Sequence, residues 1–308
     1  MSTLKVVNYE LSRWRDNGYD SAMRRFIPIL FALSATLASA QTRIKDVIYL
    51  KQGGCAYTLD VFTPKTSNHK AIVWMVSGGW VSSHDAISPE LAGAFTAQGY
   101  TVFEVVHGAQ PKYTIMEIVP QVRRAIRFIR ANASTYDISP NAIGVSGGSA
   151  GGHLSLEIAG LGDDGDPNAK DPVDKVSSRV QAVVAFYPPT DFLNWGETGK
   201  TPFDMPGMAV FMPAFGVNPK TPKEEAMKVG AATSPIQLVK EGFPPTLIVQ
   251  GDKDPLVPPQ QAHLIDDAFT KAHVDHKLKI VPGGGHDLGT LVAGLQDCIA
   301  WFSTHLKP

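Results

Sequence analysis

The chain has 308 residues, 44% of them hydrophobic, 19% charged and 9% aromatic, a globular balance that excludes a disordered or fibrous chain. Lys and Arg number 28 against 29 Asp and Glu; with no basic excess and no basic run, nothing is available to neutralise a row of phosphates, which argues against a nucleic-acid partner. Two cysteines, Cys55 and Cys298, make neither a disulfide framework nor a zinc site.

In chain order, the first pattern begins at Met23. Arg24 and Arg25 precede an uncharged apolar stretch over 26–37, and Ala38-Ser39-Ala40 stand before Gln41. A basic start, a short apolar run and small residues before a cleavage point are the order of a secretory signal peptide, here 23–40. The run is too short to span a bilayer comfortably. A buried helix or an uncleaved anchor is the alternative. Residues 1–22 then read as an upstream extension assigned in error, and 41–308 as the mature domain. The protein is expected to be secreted or periplasmic, with no membrane span after cleavage. An oxidising compartment permits a Cys55–Cys298 bridge; two separate thiols are the alternative, and both stay open, as does the oligomeric state.

From residue 41 on, apolar β-branched runs alternate with segments of helical period. Strands are expected over 45–50, 56–62, 71–76, 101–106, 142–146, 180–187, 246–250 and 277–281. Lys51-Gln52-Gly53-Gly54 is a hairpin signal between the first two, so the sheet opens antiparallel. Segment 115–130 places Ile115, Ile118, Val119, Val122, Ile126 and Ile129 at helical spacing, with four arginines between them. Segment 288–306 has the same period. This pattern predicts an α/β fold: a mostly parallel, eight-stranded sheet with helices on both faces, in one domain.

The strand at 142–146 runs into Gly147-Gly148-Ser149-Ala150-Gly151-Gly152, and a helical segment follows. A serine on a sharp strand-to-helix turn is strained and projects its hydroxyl above the sheet, and small residues are needed two before and two after it. Gly147 and Gly151 meet that need. A phosphate-cradling loop is the other reading of such glycines, but no Lys-Ser/Thr pair follows and the spacing is not GxGxxG. His153, in the next helix, reads as a packed core histidine. The acids Asp163, Asp164, Asp166, Asp171 and Asp174 lack the calcium-loop pattern and read as a solvated acidic loop.

Segment 194–228 breaks the rhythm with Gly, Pro and apolar residues. It reads as a small lid insertion whose Trp195, Phe203, Met208 and Phe211 line a substrate pocket; a loop packing its own small core is the alternative. After the strand at 246–250 come Asp252 and Asp254, the latter before Pro-Leu-Val-Pro; Asp252 is available to cap the turn through its own backbone. After the strand at 277–281 comes Gly283-Gly284-Gly285-His286-Asp287. A serine hydroxyl needs a base and an orienting acid to become a nucleophile. Among nine histidines, His286 alone follows the last strand on a glycine-rich loop. Ser149, Asp254 and His286 are therefore the candidate nucleophile, acid and base.

Taken together these motifs resemble the α/β-hydrolase family. They resemble in particular its secreted esterase/lipase-type branch, which includes acetyl xylan and feruloyl esterases and hormone-sensitive-lipase-like carboxylesterases. Ser149 to Gly152 matches the family's Ser-Ala-Gly-Gly segment, and Gly251 to Pro258 its Gly-x-x-Asp-x-x-Val-Pro acid loop. The family's His-Gly-Gly-Gly-Trp loop corresponds to Val76-Ser77-Gly78-Gly79-Trp80, with Val76 in place of the histidine and Ser77 in place of the first glycine. The resemblance implies an oxyanion hole built from the amides of Gly79 and Ala150, with Gly78 or Trp80. It implies hydrolysis of small acyl or carbohydrate-linked acetyl or feruloyl esters through an acyl-enzyme, needing no cofactor and no metal. A prolyl-oligopeptidase-like peptidase or amidase, or a binding protein on a hydrolase scaffold, are the competing readings.

Overall fold

A computed structural model describes residues 42–308; the expected signal peptide and upstream extension lie outside them. Eight strands form one sheet: β1 (Thr42–Gln52), β2 (Cys55–Thr63), β3 (Ala71–Met75), β4 (Thr101–Val105), β5 (Ile143–Gly148), β6 (Ala182–Phe186), β7 (Thr246–Gly251) and β8 (His276–Val281). Their spatial order is β1-β2-β4-β3-β5-β6-β7-β8. β1 pairs antiparallel with β2, and β2 with β4; every later pair is parallel. Gly53 and Gly54 join β1 to β2 at φ 57° and 76°, the two left-handed residues that a two-residue hairpin turn requires.

Alternation along the strands sends neighbouring residues to opposite faces. Ala71, Val73 and Met75 of β3 enter one core, and Ile72 and Trp74 the other. The first core is covered by α2 (Ile115–Ala131), α3 (Ala150–Leu161) and α5 (Gln260–Lys271), the second by α1 (Pro89–Thr96) and α6 (Leu288–His305). Helices therefore lie on both faces, as the alternating pattern predicts. β1 and β8 are the outer strands; β8 pairs only with β7, and its residues are mostly half-exposed.

The arginines of α2 are not a solvated face. Arg124 donates to Asp171 and Asp174 at 2.6 Å each, while Arg123 and Arg127 both bind Asp163. Arg130 takes the carbonyls of Pro140, Ser177 and Arg179. The acidic segment after α3 lies at the solvated surface, as expected, and Asp163, Asp171 and Asp174 also fasten it to α2 by charge-assisted bonds. Cys55 on β2 and Cys298 in α6 are free thiols, so the bridge left open by the sequence does not form. Among the described residues no helix is long and apolar enough to cross a membrane.

Candidate active site

Three loops at the carboxyl edge of the sheet bring the chemistry together. Ser149 stands between β5 and α3 at φ 54° and ψ −121°. Two backbone bonds hold that strained conformation: its amide donates to the Phe186 carbonyl at 2.9 Å, and its carbonyl accepts from the His153 amide at 2.9 Å. The turn closes because its flanks are glycine. A methyl group on Gly147 would stand 2.6 Å from the Gly151 carbonyl carbon, and one on Gly151 would stand 2.7 Å from the Met75 carbonyl oxygen.

The His286 Nε2 lies 2.8 Å from Ser149 Oγ, and its Nδ1 lies 2.7 Å from Asp254 Oδ2. Asp254 follows β7 and its side chain is fully buried. Its Oδ1 accepts from the amides of Leu256 and Val257, both at 2.9 Å, and its Oδ2 also accepts from Gln250 Nε2 at 3.1 Å. A carboxylate fixed in this way accepts a hydrogen bond from the Nδ1–H of the imidazole and so leaves the Nε2 lone pair facing the hydroxyl. Asp252 does not cap its own turn. It accepts from the Gly283 amide at 2.7 Å and ties the acid loop to the histidine loop.

The loop after β3 supplies the opposite side of the site. The amide of Gly78 is occupied by the Val81 carbonyl at 3.0 Å, so it is not available to a substrate oxygen, contrary to its place among the expected donors. The Gly78 carbonyl accepts from the Val81 amide, and Gln110 Nε2 binds the Gly79 carbonyl at 2.7 Å. In a planar trans peptide the N–H points opposite to its C=O, so these two bonds orient the amides of Gly79 and Trp80 away from the loop's own acceptors. Ala150 opens α3, where intrahelical bonding leaves an amide without an acceptor and the helix dipole favours negative charge.

Ser149 and His286 open onto a cleft of about 520 Å³ lined by Ser77, Gly78, Gly79, Tyr187, Leu256, Leu288 and Leu291, among others. The Tyr187 ring lies 4.6 Å from the His286 ring. Burial, and then the charges of Asp287 and Asp254, push its phenol up to about 12, so it walls the imidazole as a neutral group.

The four insertion residues expected to line this pocket do not line it. Trp195 stacks on Phe192 at 5.9 Å and Phe203 packs edge-on against Phe215 at 4.9 Å; Met208 packs against the same core. Phe211 covers the outer side of Gly79 and meets the Trp80 ring at 6.2 Å. The insertion packs a small aromatic core of its own behind the loop after β3. The cleft walls come from Tyr187, Leu256, Leu288 and Leu291, which the sequence shows only as the end of a strand, part of the acid loop and the start of the last helical segment; their closeness to the Asp254 and His286 loops was the available signal. Gln110 and Gln250 were also missed, because a lone glutamine in a loop or strand carries no pattern.

Among the described residues no group of three or more His, Cys, Asp or Glu is arranged to hold a metal ion. A second open groove of about 610 Å³ lies between β1, α2 and residues 171–174, but Arg124 within it is already bonded to Asp171 and Asp174.

A family model, BD-FAE, matches residues 59–269, from β2 through the acid loop to α5. The chain belongs to the BD-FAE family. The fold is that of the α/β-hydrolases: a truncated carbohydrate esterase from gut microbiota superposes with a TM-score of 0.72 at 24% identity, over 87% of this chain and 97% of that one. Esterase 2 of Thermogutta terrifontis, solved with butyrate bound, gives 0.66 at 21% identity over 88% and 97%. Esterase LipC of Mycobacterium tuberculosis is 29% identical across 77% of this chain and 58% of its own length. An acetylxylan esterase of Xylanibacter ruminicola is 32% identical across 44% of this chain and 28% of its own. The BD-FAE member described here thus spans less than two thirds of either curated relative.

Proposed function

We propose that the protein is a serine hydrolase of carboxylic esters, with Ser149 as nucleophile, His286 as general base and then acid, and Asp254 as the group that orients the imidazole. The observation that carries this reading is the unbroken line from Ser149 Oγ through His286 to Asp254, with steps of 2.8 and 2.7 Å, on a strained strand-to-helix turn. Ser149 attacks the acyl carbon as His286 takes its proton; the amides of Ala150, Gly79 and Trp80 receive the negative oxygen; His286 returns the proton to the departing alcohol. Water activated by the same imidazole then releases the acid.

The substrate proposed is a small acyl ester or an acetyl or feruloyl ester on a carbohydrate. Support comes from family membership and from the relatives' own descriptions as carbohydrate and acetylxylan esterases. The open cleft gives an acyl group apolar walls at Leu256, Leu288 and Leu291 while leaving room for a bulky alcohol. Reaction with a fluorophosphonate should label wild-type protein at Ser149, and Ser149→Ala should abolish both labelling and ester hydrolysis while melting at the wild-type temperature. Full hydrolysis by the alanine variant would refute the assignment. A panel of acetyl, butyryl and feruloyl esters, with aminoacyl anilides beside them, resolves the acyl preference and separates esterase from amidase. Export is proposed on the pattern at residues 23–40; the exported protein should begin at Gln41, and a start at Ser2 or Met23 would exclude cleavage there.

A further inference from the structure

We propose that the hydrogen bond from the Trp80 indole to His153 is the spacer between the two halves of the oxyanion site, making these two side chains positioning residues for acyl transfer. The proposal rests on the serine-hydrolase reading above and adds to it.

The indole is buried, and its Nε1 donates to His153 Nδ1 at 3.2 Å. Trp80 follows Gly79 with both residues at positive φ, 59° and 56°, so the side chain turns inward from the very loop whose amides face the reaction. His153 is fully buried, and its own amide binds the Ser149 carbonyl. It therefore sits in the first turn of α3, the turn that begins with Ala150. One bond thus joins the loop carrying the Gly79 and Trp80 amides to the turn carrying the Ala150 amide.

An indole only donates, so His153 Nδ1 accepts and Nε2 carries the proton. That proton goes to the Thr233 carbonyl at 2.8 Å, where α4 (Lys223–Ala232) ends. Both ring nitrogens are fixed, and reversing the tautomer would break both bonds. Among the described residues, the ionisable group paired with the ring is Glu157, whose Oε1 lies 3.9 Å from Nε2. Burial pushes this carboxyl up to about 8 and the imidazole down to about 4, so both are neutral at working pH. Phe192, Phe211 and Phe215 enclose the indole with ring centroids at 6.0, 6.2 and 5.1 Å. This aromatic box sets where the ring lies, and the Nε1–Nδ1 bond sets how far the loop stands from the helix.

Three variants separate a spacer from plain packing. W80F keeps a ring in the box and removes the N–H. H153Q reaches the Nε2 position and keeps a donor for Thr233 but loses the acceptor for the indole. H153N places an amide oxygen near the Nδ1 position and keeps that acceptor. With a short-chain aryl ester, W80F and H153Q should lower kcat about 10- to 100-fold, because misplacing a preorganised donor by a fraction of an ångström costs that much. KM should stay within about threefold, and the W80F/H153Q double variant should be no worse than the poorer single one. H153N should retain most of kcat. Affinity for a trifluoromethyl ketone, which forms the oxyanion, should fall in step with kcat/KM.

Equal kcat for H153N and H153Q, a wild-type kcat in W80F, or additive losses in the double variant would each overturn the spacer. W80F carries the test alone if the His153 variants fold poorly. Fluorophosphonate labelling of wild-type protein is the control. Its absence would overturn the serine-hydrolase reading itself, whereas labelled wild type beside an unimpaired W80F overturns only the spacer.

Discussion

Ser149 holds a backbone conformation that costs on the order of 1–3 kcal/mol for a residue with a side chain, and it is kept there by neighbours that have none. The same economy of side chains joins the loops that carry Asp254 and His286. Gly251 ends β7 and Gly284 precedes His286, and a methyl group on Gly251 would collide with the Gly284 peptide, backbone against backbone. Neither chain has anywhere to yield, because Asp252 is bonded to the Gly283 amide and Lys253 donates to the Gly284 carbonyl at 2.9 Å. Gly251→Ala is expected to cost about 1–3 kcal/mol of stability and to lower kcat by parting Asp254 from His286. Thermal melting and kinetics on one preparation check both, and an unchanged kcat would mean that the loops move together. Ser149 was legible because its turn imposes glycines at fixed spacing, and His286 and Asp254 because each follows a late strand. Gly78 was misread as a donor because a glycine run does not reveal which of its amides is used internally, here by Val81.

At the scale of elements, β3 to β7 could be read from β-branched runs because these inner strands are buried on both faces, which removes most polar interruptions. The insertion could not be read in the same way. Trp195, Phe203 and Phe211 have the composition of either a pocket wall or a clamp, and only the side of the loop after β3 on which they land decides between them. The partners of the α2 arginines could not be read, because helical period says which residues leave the core, not whether another segment waits for them. Arg124 is mostly buried, and besides its two carboxylates it binds the Tyr49 carbonyl at 3.3 Å. Arg124→Met should therefore destabilise by about 1 kcal/mol, shrinking as salt screens the half-exposed aspartates. Urea unfolding at 0.05 and 1 M salt measures this, and a loss that salt leaves unchanged would point to packing of the arginine stem instead.

For the molecule as a whole, buried titratable groups set the pH range of stability. Burial pushes Glu104 and Glu157 up to about 8, the Ser88 amide opposing it at Glu104. The folded state therefore binds more protons than the unfolded chain from the ordinary glutamate value of 4.5 upward, and stability is lost as pH rises to about 8. Burial pushes His107 and His153 down to about 4 from 6.5. Here the unfolded chain binds more protons, and stability is lost as pH falls through that window. The native state should be most stable between about 4.5 and 6.5. Melting temperature should decline from pH 6.5 to 8, and an E104Q/E157Q variant should lose most of that decline. An identical slope in the variant would show that other groups cause it.

His286, the proposed general base, follows β8, the one strand of its half of the sheet that has a neighbour on a single side among the described residues. Warming should loosen this margin first, while β3, β5 and β6, each flanked on two sides, keep their ladders. Turnover would then vanish while most helical and sheet signal persists, and the serine would outlast its partner. An enzyme so arranged wears out from its border inward, and reinforcing that outer strand would lengthen its working life more than any repair to the core.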